Sequence, residues 1–290
     1  MLLNKLKKLF IGGEWGIAYK THKEDGYRVI DLPKGQWAAD PMLFEHNGVH
    51  YLFAEIYENK KKKAGIGYFV FENDFPVYKG MIIENGYHMS YPCVFKYGND
   101  LYMIPESSAN NSLELYRAVH FPDKWVKDCV LVENCNYVDT TVYFKNGLHF
   151  LTYEKCKNGW YLKNFRLLLE NKTIHEIGKF FYGNNTGRPA GYLINKGGSF
   201  IRPAQDCSDK YGENIIFYNI DSFEPYEEKE IDRLSISDLK LPIKAQRTHT
   251  YCEDDKYSVC DFFVEKFEVF HTFEILKRSH YKPQSGGKND

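Results

Sequence analysis

The chain repeats a unit of sixteen residues, whose first copy reads Asp40-Pro-Met-Leu-Phe-Glu-His-Asn-Gly-Val-His-Tyr-Leu-Phe-Ala-Glu55. The second copy reads Tyr91-Pro-Cys-Val-Phe-Lys-Tyr-Gly-Asn-Asp-Leu-Tyr-Met-Ile-Pro-Glu106, and the third reads Asp139-Thr-Thr-Val-Tyr-Phe-Lys-Asn-Gly-Leu-His-Phe-Leu-Thr-Tyr-Glu154. The three copies start 51 and 48 residues apart, and a period of this size is typical of β-propeller blades. We therefore expect each copy to form one hairpin of one blade.

Two weaker units complete the predicted fold. The fourth runs from Arg188 to Arg202 and carries arginines where the earlier copies carry acids, and the fifth begins at His249 with a shorter hairpin. The run 15–30 precedes the first copy and has no hairpin of its own, so we expect it to pair into the last blade and remove the free sheet edge. The sequence thus predicts an all-β, five-bladed β-propeller closed by an N-terminal strand.

Composition excludes several functional classes. Aromatic residues make up 17% of the 290 residues, and the formal net charge is -1 with both signs interspersed. This charge pattern argues against a nucleic-acid partner, which would need a basic face. The seven cysteines include no CxxC pair and follow no signal peptide, so we expect free thiols in a reducing cytoplasm. Neither the cysteines nor the histidines have the spacing of a metal centre, so no metal site is predicted.

The predicted domain organisation has three parts. Residues 14–278 form the single propeller domain, residues 1–13 form a short basic amphipathic segment, and residues 279–290 form a disordered tail. In the first segment Leu and Phe side chains share one face of a helix while three lysines lie elsewhere. Such a segment can lie on an anionic membrane, although packing or disorder is the alternative for so short a helix. The expected location is the cytoplasm, with peripheral contact to the inner membrane through residues 1–10.

Acidic side chains begin and end the repeated units, and a propeller can bring them together at one end of its central channel. These candidates are Asp40, Glu55, Glu106, Asp139 and Glu154. Trp37 lies three residues before Asp40 and could give the carboxylate an apolar wall on which a sugar ring stacks. The alternative is that Asp40 only caps a turn before Pro41.

Several longer motifs resemble the N-terminal domain of plant glucosamine inositolphosphorylceramide transferases and of bacterial relatives that accompany capsule and lipopolysaccharide genes. The matching stretches are Trp37-Ala-Ala-Asp-Pro-Met-Leu-Phe44, Ser90-Tyr-Pro-Cys-Val-Phe95, Met103-Ile-Pro-Glu-Ser-Ser-Ala-Asn110, Leu115-Tyr-Arg-Ala118, Arg202-Pro-Ala-Gln-Asp-Cys-Ser-Asp-Lys-Tyr-Gly212 and His249-Thr250. The resemblance covers about residues 14–270. It implies a five-bladed propeller similar to those of furanosidases and fructosyltransferases.

More distantly, the chain is similar to arabinanase and xylosidase propellers. That similarity implies Asp40 as a general base and Asp139 as the group that orients the acid. Those enzymes take a catalytic Glu from the fourth blade, where this chain has Arg188, Arg202, Gln205 and Asp206. A hydrolase needs a protonated carboxyl at that point, whereas arginines can hold a leaving phosphate. The departure therefore favours transfer over hydrolysis.

Further substrate-binding candidates lie at the strand entries. His88, Tyr91 and His249 occupy these positions, although a lone histidine is more often structural. Glu106 is a third candidate catalytic acid, next to residues that can hydrogen-bond sugar hydroxyls, and its alternative role is to pair with Arg117 in its own blade.

The leading hypothesis is a glycosyltransferase of surface polysaccharide synthesis. In one form of this hypothesis the enzyme transfers furanosyl or fructosyl groups. It would take a nucleotide sugar or other phosphate-linked donor and a saccharide acceptor, without a cofactor. One alternative is a glycoside hydrolase in which Glu106 replaces the missing acid. The other is a non-catalytic glycan-binding module that holds an acceptor for a separate transferase.

Overall fold

A computed structural model describes residues 11–267 of the chain, and these residues form five antiparallel β-sheets. Two single turns of 3-10 helix, Ser108–Asn110 and Ile236–Leu239, lie between strands. In chain order the strands are β1 (Ile11–Thr21), β2 (Arg28–Val29), β3 (Gln36–His46), β4 (Val49–Glu58), β5 (Lys63–Glu72), β6 (Phe75–Ile83), β7 (Ser90–Tyr97), β8 (Asp100–Glu106), β9 (Ser112–His120), β10 (Lys124–Glu133), β11 (Val138–Phe144), β12 (Leu148–Cys156), β13 (Gly159–Leu168), β14 (Thr173–Tyr182), β15 (Arg188–Pro189), β16 (Ile194–Lys196), β17 (Ser199–Asp206), β18 (Asn214–Phe223), β19 (Tyr226–Leu234), β20 (Tyr251–Glu253) and β21 (Tyr257–Phe267).

The sheets are the five blades of a propeller, as the sequence predicts. Blades one to three are β3–β6, β7–β10 and β11–β14, and each contains one copy of the repeat as its first hairpin. In blade four the first strand is broken into β15 and β16, which both pair with β17. The first strands of neighbouring blades contact one another around the axis, so they are the innermost strands.

Blade five combines the two ends of the described chain, in the order β2-β1-β21-β20. Strand β1 pairs antiparallel with β21 over its whole length, from Ile11 opposite Phe267 to Thr21 opposite Tyr257. This ladder joins the N-terminal strand to the last blade, so one sheet contains strands from both ends of the described chain. The predicted closure by an N-terminal strand is confirmed.

Apolar side chains pack mainly between neighbouring blades. Phe53 and Met103, from blades one and two, belong to one buried cluster, against which Phe121 and Trp125 also pack. Tyr153 and Ile216 belong to a similar cluster between blades three and four. Each fully buried large side chain contributes about 1.5–3 kcal/mol, so the high aromatic content of the sequence supplies the contacts between blades.

Two tyrosines close the central channel. The hydroxyl of Tyr91, in blade two, accepts a hydrogen bond of 2.7 Å from the backbone N–H of Gly191 in blade four. The hydroxyl of Tyr192, in blade four, lies 2.8 Å from both the N–H and the carbonyl oxygen of Val94 in blade two. Blades two and four are not neighbours, so these side chains must cross the channel. The channel is therefore blocked rather than open along its length.

The terminal predictions lie largely outside the described residues. Of the predicted segment 1–13, only residues 11–13 are described, and they begin β1. The predicted tail 279–290 lies outside the described residues. All seven cysteines are free thiols, in agreement with the sequence-based expectation. Between residues 11 and 267, no helix has the length and apolar character needed to cross a membrane.

Candidate functional site at the propeller mouth

The first residue of each repeat copy has a left-handed backbone conformation, which is uncommon outside glycine. The φ angles are 50° at Asp40, 46° at Tyr91 and 50° at Asp139. In all three hairpins the register is interrupted at this residue by a β-bulge. Bulges re-aim side chains, and left-handed non-glycine residues cost about 1–2 kcal/mol each. The three side chains thereby reach the inner strands of other blades, at the end of the channel that we call the mouth.

Asp40 contacts a buried group of side chains from blade five. The hydroxyl of Thr250 donates to Asp40 Oδ1 at 2.8 Å, and the backbone N–H of Asp40 donates to Asp261 Oδ2 at 3.3 Å. Asp261 Oδ1 accepts the backbone N–H groups of His249 and Thr250 at 2.8 and 2.9 Å. Its Oδ2 forms an ion pair with Nδ1 of His249, which lies 3.9 Å from Asp40 Oδ1.

The surroundings of Asp40 shift the pKa of its carboxyl towards neutral pH. Burial raises the pKa of Asp40 to about 7, although the nearby His249 opposes the change. The pKa of His249 is also raised: burial acts to lower it, but the attraction and hydrogen bond of Asp261 outweigh burial. A carboxyl with a pKa near 7 can serve as a general base at neutral pH.

The same three side chains have the donor set of a small metal site. One ligand atom from each of Asp40, His249 and Asp261 lies within 4.8 Å of the others, and all three residues are buried. No metal site was expected from the sequence, and Asp261 was not among the candidate residues. Both carboxylate oxygens of Asp261 already accept backbone hydrogen bonds, so this residue also stabilises the local backbone.

Arg188 joins the acids of blades two and three. Its Nε donates to Asp139 Oδ2, and its Nη2 lies 3.2 Å from both Asp139 Oδ1 and Glu106 Oε2. Gln205 Nε2 donates to Asp139 Oδ2 at 2.8 Å. Glu106 therefore pairs with blade four rather than with Arg117 of its own blade, which was the alternative considered from the sequence. The structure brings together Glu106, Asp139, Arg188 and Gln205.

The charge balance of this second group differs from the expectation. Burial raises the pKa of Asp139 to about 7; Arg188 acts to lower it and Glu106 acts to raise it further. The Arg188 side chain is only 17% exposed and already faces two carboxylates. A guanidinium neutralised in this way has little charge left for an external phosphate. The structure thus does not support Arg188 as the phosphate ligand expected from the sequence.

Aromatic and acidic side chains of blade one form another wall of the mouth. Glu55 Oε1 lies 3.1 Å from Nε2 of His88, which follows blade one. Burial acts to lower the pKa of His88, but the hydrogen bond and charge of Glu55 outweigh it and raise the pKa; Glu106 and Asp40 add to this attraction. The half-buried ring of Trp37 stacks on Tyr57, with centroids 4.5 Å apart and planes 11° apart. These rings offer the flat apolar surface that a sugar ring requires.

Three predicted binding residues take part in contacts within or between blades instead. Arg202 is fully buried and forms an ion pair of 2.6 Å with Glu228, and its guanidinium also donates to Tyr182 and to a backbone carbonyl. Asp206 pairs with Arg233 at 2.8 Å. The buried Tyr91 uses its hydroxyl in the channel contacts described above. The predictions for these residues are corrected, because their polar groups are occupied by partners within the fold.

Glu154 is separated from the other acids by a shift in strand register. Ala39 and Ser90, which precede the first two copies, pair with Glu55 and Glu106. In the third copy Val138 pairs with Tyr153, one residue earlier, because the hairpin loop has three residues, 145–147, instead of two. A one-residue shift turns a side chain to the other face of the sheet. Glu154 instead pairs with Lys163 at 2.7 Å in its own blade.

Two aromatic residues beside His249 were not predicted from the sequence. Trp15, in the closing strand β1, stacks on the His249 ring with centroids 3.9 Å apart and planes 15° apart. Tyr211 contacts the same ring edge-on at 5.2 Å, and the guanidinium of Arg188 lies 5.4 Å from the Tyr211 centroid. Tyr211 belongs to the 202–212 motif and could have been considered from the sequence, whereas only the closure of the propeller brings Trp15 to the mouth.

Comparison with known proteins agrees with this architecture. Residues 31–249 match the family described as "Glucosamine inositolphosphorylceramide transferase 1, N-terminal". Curated relatives of that name from Oryza sativa subsp. indica and Arabidopsis thaliana are 29% and 28% identical over 236 and 234 residues. Each alignment covers 76% of this chain but 30% of the relative, so the chain corresponds to less than a third of those proteins.

Solved structures show the same fold. The catalytic domain of the Coprinopsis cinerea GH62 alpha-L-arabinofuranosidase superposes with a TM-score of 0.58 at 12% identity, covering 85% of this chain and 97% of that one. An exo-beta-1,3-galactanase from Clostridium thermocellum gives a TM-score of 0.57 at 12% identity, covering 88% and 62%. Identity this low establishes the fold alone. On the match over residues 31–249, the chain belongs to the family of the N-terminal domain of glucosamine inositolphosphorylceramide transferase 1.

Proposed function

We propose that the mouth binds a saccharide and that the protein takes part in glycosyl transfer during surface polysaccharide synthesis. A phosphate-linked sugar is the donor and a second saccharide is the acceptor. The proposed location is the cytoplasm, with contact to the inner membrane through residues 1–10. The transferase names of the relatives support the reaction class, and the glycosidase structures that share the fold support a saccharide ligand.

The observation that carries the proposal is the carboxyl of Asp40, which is 4% exposed and has a pKa raised to about 7 by burial. Thr250 and His249 approach its Oδ1, and no residue between 11 and 267 hydrogen-bonds to its Oδ2. In the proposed step an acceptor hydroxyl transfers its proton to Asp40 while its oxygen bonds to the anomeric carbon of the donor. The bond between that carbon and the phosphate oxygen breaks, and the phosphate leaves with the electron pair.

Hydrolysis has less support than transfer. A glycosidase of this fold class needs a protonated carboxyl to release the leaving sugar. Glu106 would have to supply it, but the Glu106 carboxylate accepts hydrogen bonds from Arg188 at 3.2 Å and from Ser108 at 2.7 Å. Both carboxylate oxygens of Glu106 are thus already occupied by partners within the fold. A phosphate leaving group does not require this acid.

The test compares Asp40→Asn with the wild-type protein. Saccharide affinity is measured by titration calorimetry, and turnover is measured with nucleotide sugars and oligosaccharide acceptors. We expect turnover to fall about 100- to 10,000-fold, the usual contribution of a general base, with only a few-fold change in affinity. Asp128→Asn is the matched control, since Asp128 lies on the outer strand of blade two, away from the mouth, and pairs with Lys172 of blade three. Full turnover by Asp40→Asn would rule out the proposed role.

A second function, glycan binding without catalysis, is favoured by one observation. The chain corresponds to 30% of the length of its curated relatives, so the remaining length can carry the reacting groups of those proteins. In this case the mouth holds an acceptor for a separate transferase. Saccharide binding without turnover for any donor, with affinity unchanged in Asp40→Asn, would identify this function.

A further inference from the structure

Arg247 lies beside the mouth and holds its guanidinium between aromatic rings. It lies two residues before His249, and its backbone forms a bridge with Phe263 of β21. The guanidinium carbon is 3.9 Å from the centroid of the Phe263 ring and 5.7 Å from that of Trp15, the ring that stacks on His249. Its Nη1 donates to the backbone carbonyl of Tyr211 at 2.9 Å. The guanidinium is thus fixed in orientation by three neighbours.

Arg247 differs from the other arginines of this region in its charge balance. Arg188 and Arg202 each form ion pairs with carboxylates, whereas no carboxylate among residues 11–267 lies within 4.0 Å of the Arg247 guanidinium. Only one of its five N–H groups donates a hydrogen bond within residues 11–267. Burial lowers the pKa of Arg247, with the more distant Glu265 opposing. A partly buried guanidinium that forms no ion pair within the described chain favours an anionic ligand.

We propose that Arg247, supported by Trp15 and Tyr211, forms an anion subsite that binds the phosphate of the sugar donor. This inference rests on the proposed transfer function and names the group that holds the leaving phosphate. It moves that role from Arg188 and Arg202 to the blade-five side of the mouth, where His249 links the subsite to Asp40. The planar guanidinium suits two phosphate oxygens at once. The ligand class is a phosphate ester, either a nucleotide diphosphate or the phosphodiester of a lipid-linked sugar.

Titration calorimetry with inorganic pyrophosphate and with dimethyl phosphate tests the subsite without any sugar transfer. We expect Arg247→Gln to weaken the binding of the preferred anion at least 10-fold, because the variant loses the hydrogen bonds between two charged groups. Arg247→Lys keeps the positive charge but loses the paired N–H donors of the planar guanidinium. The affinity of this variant for the anion should therefore be intermediate. Arg28→Gln is the matched control: this arginine also lies over an aromatic ring, Phe75, but is paired with Glu24 on an outer strand.

The outcomes separate the subsite from the proposed function. Equal affinities of Arg247→Gln and wild type, with the same melting temperature, would overturn the subsite, as would the absence of binding to both anions by wild type at millimolar concentration. If Arg247→Gln loses the anion while Asp40→Asn keeps full turnover, the subsite stands and the role of Asp40 is wrong. Preference for pyrophosphate indicates a nucleotide-linked donor, and preference for dimethyl phosphate indicates a lipid phosphodiester.

Discussion

At the scale of single residues, the neighbouring carboxyl groups of the mouth need a cationic partner. Arg188 is the cation that allows Glu106 and Asp139 to lie together, since it hydrogen-bonds to both. Two carboxylates in one buried site repel each other, and removing their shared cation exposes the full cost of burial. Arg188 is therefore a structural member of the site, and its contribution should depend on whether Asp139 is ionised.

We predict that Arg188→Gln destabilises the protein by about 3–5 kcal/mol at pH 8, the usual cost of breaking a buried ion pair. The loss should be smaller at pH 5.5. Arg188 lowers the pKa of Asp139, so its removal raises that pKa, and Asp139 is then neutral at pH 5.5. Urea unfolding at both pH values measures the effect. Equal losses at both pH values would show that the stabilisation does not come from the ion pair.

At the scale of elements, the loop between β17 and β18 depends on a glycine. Gly212 has a φ of 64°, and a Cβ at this position would lie 2.6 Å from Cβ of His249. The absence of a side chain lets the loop approach blade five closely and brings the adjacent Tyr211 against the His249 ring. A backbone contact in blade four thus supports the geometry of a histidine in blade five.

We predict that Gly212→Ala is more destabilising than Gly48→Ala. Gly48 has a similar φ of 76° but nothing within 4 Å of an added Cβ. Its substitution by Ala therefore costs only the strain of the left-handed conformation, about 1–2 kcal/mol. Gly212→Ala adds the clash with His249 and should cost about 1–3 kcal/mol more. Thermal unfolding of both variants measures the difference. Equal melting temperatures for the two variants would mean that the loop moves away at no cost.

At the scale of the whole molecule, buried titratable groups from several blades converge on the mouth. Burial raises the pKa of Asp40 and of Asp139 to about 7, and ion pairing raises the pKa of His88 and of His249. In each case the folded protein binds the proton more tightly than the unfolded chain does. Stability from these groups is therefore present at low pH and is lost as the pH rises through the folded pKa values.

We predict a melting temperature about 2–4 °C higher at pH 6 than at pH 8.5, which corresponds to about 1 kcal/mol for a domain of this size. Asp40→Asn should reduce the difference, because the amide does not titrate. Carboxyls with lowered pKa values, such as Glu114, stay ionised throughout this window, whereas His149, whose pKa burial lowers, acts in the opposite direction. Differential scanning calorimetry tests the prediction, and a higher melting temperature at pH 8.5 would contradict it.

Much of the architecture could be predicted because it depends on a local period. The spacing of the copies beginning at Asp40, Tyr91 and Asp139 gives three blades, and the unpaired run 15–30 indicates how the ring closes. The site was predictable to the extent that it uses repeat ends: Asp40, Glu106 and Asp139 reach the mouth with Arg188 and Gln205. The left-handed conformation and the bulge at each start were not expected.

What the order of residues settles, then, is the number of blades and the approximate place of most of the acids, because these follow from the repeated hairpin unit. Which charges remain unsatisfied depends on contacts between blades. Arg188 of blade four pairs with Glu106 and Asp139 of blades two and three, and Thr250 of blade five donates to Asp40 of blade one. Such contacts join residues far apart in the chain, since distance in the fold, and not spacing in the sequence, sets the strength of an electrostatic interaction.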